Sequence, residues 1–114
     1  MVILSLYKEN AKMQLEKFCE ERIPPHLRDK IKISYKIKGD TFTLYECRPI
    51  FNDPIHWTEM SVAQIRYKKD EATWYLYWPN RNGKWFPYDD LHMIKNFADI
   101  IKELEDDPTG AFWG

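Results

Sequence analysis

The most regular stretch of the chain is the alternation of Ile31, Ile33, Tyr35 and Ile37 with Lys32, Ser34, Lys36 and Lys38. A period of two places the apolar side chains on one face, so the segment predicts a half-buried strand. Gly39-Asp40 follows as a tight turn, with glycine where φ must be positive. The turn sets the return register: Lys38 faces Thr41, Ile37 faces Phe42, Tyr35 faces Leu44 and Ile33 faces Glu46. Apolar residues of both strands then share one face, an independent check on the turn.

Two further hairpins are expected. With Asp70-Glu71 at a loop centre, Tyr67 faces Trp74, Ile65 faces Leu76 and Ala63 faces Trp78. These form an apolar face, leaving Gln64, Arg66, Tyr75 and Tyr77 on the other. Asn82-Gly83 is the preferred pair for a two-residue type I′ turn and predicts Trp85 opposite Asn80 and Tyr88 opposite Tyr77. Between Cys47 and Met60, Pro49 and Pro54 argue against a regular central strand, so this segment reads as a long connection.

Helical periodicity appears at both ends. Ala11, Leu15, Phe18 and Cys19 recur on one face of a helix expected from Ser5, its N-cap, to Arg22, where Pro24-Pro25 stops it. A second helix is expected from Leu91 or Met93 to Glu105, with Ile94, Phe97, Ala98, Ile101 and Leu104 as its stripe. Asp89 and Asp90 suit its positive end. Asp107-Pro108-Thr109-Gly110 stops it, and the aromatic tail with Phe112-Trp113 is expected to fold back and pack. The order predicts an α+β domain, α-β-β-β-β-β-α: a curved, five-stranded antiparallel meander with an N-terminal and a C-terminal helix.

Composition fits this class. A length of 114 residues suits one domain, expected to span residues 1–114, with chain enough for a core without staples. Aromatic residues make up 16% of the chain, with five Trp and seven Tyr, which favours sheet. The net charge of −1 means that binding to a polyanion would need a local basic face. The two cysteines, Cys19 and Cys47, read as free buried thiols in a cytoplasmic protein. The start of the chain lacks the basic region of a signal peptide, and no apolar run approaches membrane-spanning length, so no membrane partner is expected.

Several stretches together resemble a known family. They are Leu15-Glu16-Lys17-Phe18-Cys19, Pro24-Pro25-His26-Leu27-Arg28, Arg48-Pro49 with Asp53-Pro54 and Trp57-Thr58, Trp78 with Arg81-Asn82-Gly83-Lys84-Trp85, and Asp107-Pro108-Thr109-Gly110 with Phe112-Trp113-Gly114. The chain from about Leu15 to Gly114 resembles the prokaryotic domain-of-unknown-function family 3024, with Met1 to Lys8 outside the likeness. The resemblance implies a stand-alone prokaryotic domain and brings no activity, cofactor or site residue with it.

Candidate chemistry is sparse. The three histidines, His26, His56 and His92, have no metal-ligand spacing, and no cofactor is expected. A metal site assembled from His56, Asp53 and Glu59 is set against the plainer reading of polar loop residues. Cys47 beside Arg48 is set against a structural strand-end thiol. Glu46 falls on the apolar face, where a carboxylate needs a partner such as Arg48 or Arg66; it reads either as a functional acid or as half of a structural ion pair.

The remaining signal is a surface. The face opposite the apolar one collects Lys32, Lys36, Lys38, Tyr45, Arg66, Tyr75, Tyr77 and Tyr88. Rings interleaved with cations on a sheet are the ingredients of a platform for single-stranded nucleic acid, unless the Cys47–Met60 segment covers them. The leading expectation is therefore a binding module without catalysis. Its alternatives are a protein-interaction or homodimer module using exposed aromatics, and a small enzyme using Glu46 with Arg48 or Arg66.

Overall fold

The computed structural model describes residues 2–88, 94 and 96–113. Helix α1 (Val2–Arg22) leads through a single 3-10 turn (Pro25–Leu27) into β1 (Lys32–Lys38), β2 (Thr41–Ile50), β3 (Asp53–Lys68), β4 (Thr73–Pro79) and β5 (Trp85–Pro87), and helix α2 (Phe97–Asp106) follows. The strands form one antiparallel sheet in the order β1-β2-β3-β4-β5. Ser5 lies inside α1 and does not cap it.

The first hairpin has the register its alternation dictates: Lys38 opposite Thr41, Ile37 opposite Phe42, Tyr35 opposite Leu44 and Ile33 opposite Glu46. Gly39 at the turn has φ 62°. In the β3–β4 hairpin, Tyr67 faces Trp74 and Ile65 faces Leu76 as expected. No glycine serves that loop, so Ala72 takes a positive φ of 49°. The expected pairing of Ala63 with Trp78 is not made, because the ladder ends at Gln64 opposite Tyr77.

Other expectations are corrected. The segment from Cys47 to Met60 is not a long connection: it is strand on both sides of a turn, with Cys47 opposite Glu59 and Pro49 opposite Trp57. Here β2 and β3 run on beyond their other neighbours as a two-stranded arm. A proline on a free edge forfeits no ladder bond, so Pro49 and Pro54 are accommodated. In the β4–β5 hairpin the register is displaced by one: Trp85 faces Pro79 and Pro87 faces Tyr77. The side chain of Asn80 causes this by accepting from the N–H groups of Asn82 and Lys84, each at 2.9 Å. That makes a wider loop in which Gly83 has φ 79°.

Both helices pack on the sheet face bearing Phe42, Leu44, Ile65, Trp74 and Leu76. Helix α1 contributes Ala11, Leu15 and Phe18, which are buried as its period requires. Helix α2 starts at Phe97, later than expected, because the side chain of Asn96 caps the Ala98 N–H at 3.1 Å. Ile94 instead forms an antiparallel bridge with Trp74. The buried stripe of α2 is Phe97, Ile100 and Leu104; Ala98 is exposed. Asp89, Asp90 and Leu91 to Met93 lie outside the described residues.

Trp74 is the centre of the core. Its ring lies 4.6 Å from Tyr67, 4.9 Å from Phe97, 5.8 Å from Phe42 and 6.0 Å from Tyr7. Tyr7 stacks on Tyr67 at 3.9 Å and donates to Asp40 at 2.6 Å, joining α1 to the first turn. The tail folds back as expected. The Asp107 carboxylate accepts from the N–H groups of Phe112 and Trp113, and the Trp113 indole donates to the Leu104 carbonyl at 2.7 Å.

Two predictions follow from these contacts. Asp107→Ala removes the acceptor for two tail N–H groups. It should lower the unfolding free energy by about 1–3 kcal/mol in a urea titration, as expected for losing charged hydrogen-bond acceptance. The second concerns alkali. Burial, then the hydrogen bond to Asp40, pushes the Tyr7 phenol from 10.0 up to about 12. The folded state therefore holds this proton more tightly than the unfolded one. The resulting stability is present below about pH 10 and is lost as pH rises towards 12. Tyr7→Phe should reduce the drop in stability across that window, measured by denaturant melts at each pH.

Candidate functional site: an open face of rings and cations

Strand alternation turns Lys32, Ser34, Lys36 and Lys38 of β1, Thr43 and Tyr45 of β2, Gln64, Arg66 and Lys68 of β3, and Tyr75 and Tyr77 of β4 away from the helices. Neither helix packs on this side. Tyr45, Tyr75 and Tyr77 are half-buried by their neighbours within the sheet, and Lys36 and Lys68 are exposed.

The cations lie over the rings. The Arg66 guanidinium is 3.9 Å from the centre of Tyr77, the Lys32 ammonium 4.3 Å from Trp57, and Lys36 and Lys68 are each 4.8 Å from Tyr45 and Tyr75 respectively. All fall within the range of cation–π attraction. Arg66 is held by donation to Gln64 at 2.7 Å, and Gln64 donates to Thr43 at 3.1 Å. This relay and the Tyr77 ring together fix the guanidinium plane.

Acids are fewer on this face. Glu59 accepts from Lys36 at 2.8 Å, which raises the lysine pKa, mainly through that hydrogen bond. Glu71 accepts from the Tyr75 hydroxyl at 2.5 Å, a bond that raises the tyrosine pKa first of all. Lys32, Lys38, Arg66 and Lys68 make no ion pair with an acid among the described residues. By contrast α2 carries Asp99, Glu103, Glu105 and Asp106 against Lys102. A chain of net charge −1 thus has a locally basic sheet face.

Tyr88 does not belong to this surface. It is buried on the helix side and donates to Glu103 at 2.6 Å. The one-residue displacement of the β4–β5 register accounts for the change of face. Trp57 and its partner Lys32 do belong to it. That couple is not legible in the sequence, because Pro49 and Pro54 make the segment around Trp57 resemble a connection.

Glu46 and Arg48 come together on β2, the guanidinium Nη2 lying 2.7 Å from Oε1 of Glu46. They sit beside a recess of about 590 Å³ lined by Glu46, Met60, Val62, Arg81, Phe112 and Trp113. Arg66 is not part of it, being engaged with Gln64 and Tyr77 on the other face. His56 and Asp53 meet at 2.6 Å, while Glu59 is turned to Lys36. Among the described residues no group of three or more His, Cys, Asp or Glu is arranged to hold a metal ion. Neither cysteine is in a disulfide, and burial pushes the Cys19 thiol up to about 12, away from the thiolate that a nucleophile requires.

No described helix is long and apolar enough to cross a membrane. No curated protein and no solved structure matches the chain. One family model does, over residues 5–114, beginning N-terminal to Leu15, where the resemblance seen in the sequence starts. With that match extending through both helices and all five strands, the chain belongs to the family described as Domain of unknown function (DUF3024).

Proposed function

We propose that this protein is a non-catalytic module that binds single-stranded nucleic acid on the open face of its sheet, in the cytoplasm of a prokaryotic cell. The observation that carries the reading is the set of cation–ring couples on a sheet face that neither described helix covers: Lys36 with Tyr45, Arg66 with Tyr77, Lys68 with Tyr75 and Lys32 with Trp57. A single strand offers bases that stack on rings and phosphates that attract cations, and this face supplies both partners in alternation. A duplex hides its base faces and would use only the charges. The free thiols of Cys19 and Cys47 agree with a reducing compartment.

Fluorescence anisotropy with short single-stranded RNA and DNA tests the reading. Binding should weaken with salt. If Lys32, Lys36, Arg66 and Lys68 each meet a phosphate, log K should fall against log salt with a slope of about −3. Tyr77→Ala and Tyr45→Ala should each weaken binding about tenfold, within the ~1–3 kcal/mol of one stacked base. Phe substitutions, which keep the ring, should bind almost as wild type. Absence of binding at low salt, or affinity indifferent to both alanine variants, would overturn the proposal.

A further inference from the structure

The open face is unbalanced in its hydrogen-bonding groups. Its carboxylate and amide acceptors are engaged: Glu59 accepts from Lys36, Glu71 from the Tyr75 hydroxyl, and the Gln64 amide oxygen from Nε of Arg66. Donors remain. They are the ammonium groups of Lys32, Lys38 and Lys68 and the two Nη groups of Arg66, none of which meets an acceptor among the described residues.

The cations also differ in posture. Lys32, Lys36, Lys38 and Lys68 are exposed, whereas Arg66 is half-buried, lying on the Tyr77 ring at 3.9 Å with Nε tied to Gln64 at 2.7 Å. Exposed ammonium groups suit phosphates, which a bound strand keeps in water. A guanidinium laid down on the platform meets what lies on the platform, which is a base. With Nε committed, the Nη pair is a planar fork of donors that calls for two acceptors side by side.

We propose that Arg66 reads guanine, its two Nη groups donating to O6 and N7 of one guanine in the strand; the proposal rests on the nucleic-acid reading above. Guanine sets those two acceptors together on one edge, the pairing that arginine makes most often when it reads a base. The other bases suit a donor fork less well. Adenine sets an amino donor beside its N7, uracil alternates single carbonyls with an N–H, and cytosine carries an amino donor beside its acceptors.

Fluorescence anisotropy with short oligouridines carrying one central guanosine, adenosine or cytidine reads the result. The wild type should bind the guanosine strand about tenfold more tightly than the others, the lower end of what one bidentate base contact discriminates. With Arg66 on a base, Lys32, Lys36 and Lys68 remain for phosphates, and the salt slope for the guanosine strand should be about −2. A central 7-deazaguanosine, which lacks N7, should lose the preference, and inosine, which keeps O6 and N7, should retain it. Arg66→Lys keeps the charge and loses the fork, so it should bind all these strands alike. A wild type that binds the adenosine or cytidine strand as tightly as the guanosine strand, or a preference kept by 7-deazaguanosine or by Arg66→Lys, would overturn the assignment while leaving nucleic-acid binding in place. Absence of binding to every strand would overturn both.

Discussion

A strand cannot choose its two faces independently: what alternation turns towards the core on one side it turns away on the other. In this protein both helices lie on the same side of the sheet, drawn there by Phe42, Leu44, Ile65, Trp74 and Leu76. The residues interleaved with these five, among them Thr43, Tyr45, Arg66, Tyr75 and Tyr77, are therefore left facing solvent. The exposed face follows from how the core is built. Trp74 holds the arrangement, because its ring meets Tyr7 of α1, Phe97 of α2 and both Phe42 and Tyr67 of the sheet. Its backbone also bridges Ile94.

The open face has a cost that its chemistry offsets. Tyrosine rings in water leave apolar area unburied, and cations stacked on them cover part of that area with their methylene stems. The Arg66–Gln64–Thr43 relay adds order, so a ligand that stacked there would meet a prearranged surface, and the protein would lose less freedom on binding it. The recess at Glu46 lacks this character. Its carboxylate is matched by Arg48, and its walls come from the docked tail, which points to a structural ion pair at the sheet margin.

Much of this was legible in the sequence. The first hairpin could be read residue by residue because alternation and Gly39 make the same statement. Tyr67–Trp74 and Ile65–Leu76 were equally readable, and that register already places Arg66 one diagonal step from Tyr77. The arm was not readable, since Pro49 and Pro54 carry a warning that applies to central strands, and nothing local says that a strand will outrun its neighbours. The shifted β4–β5 register escaped because the rule for Asn82-Gly83 takes no account of an Asn80 side chain competing for backbone N–H groups. The start of α2 did leave a sign. Asn96 precedes the apolar period that begins at Phe97, and a capping residue there is a better marker than the charges of Asp89 and Asp90. Which face the helices cover is a tertiary fact, and no local pattern states it.

The most direct test of the central claim is a residue-resolved map of binding, by following backbone amide NMR shifts while a short single-stranded oligonucleotide is added. The account predicts that the moving signals cluster at Lys36, Tyr45, Arg66, Lys68, Tyr75 and Tyr77, with α1 and α2 nearly still. Shifts concentrated on the helices or in the recess beside Glu46, or no shifts at saturating oligonucleotide, would contradict it.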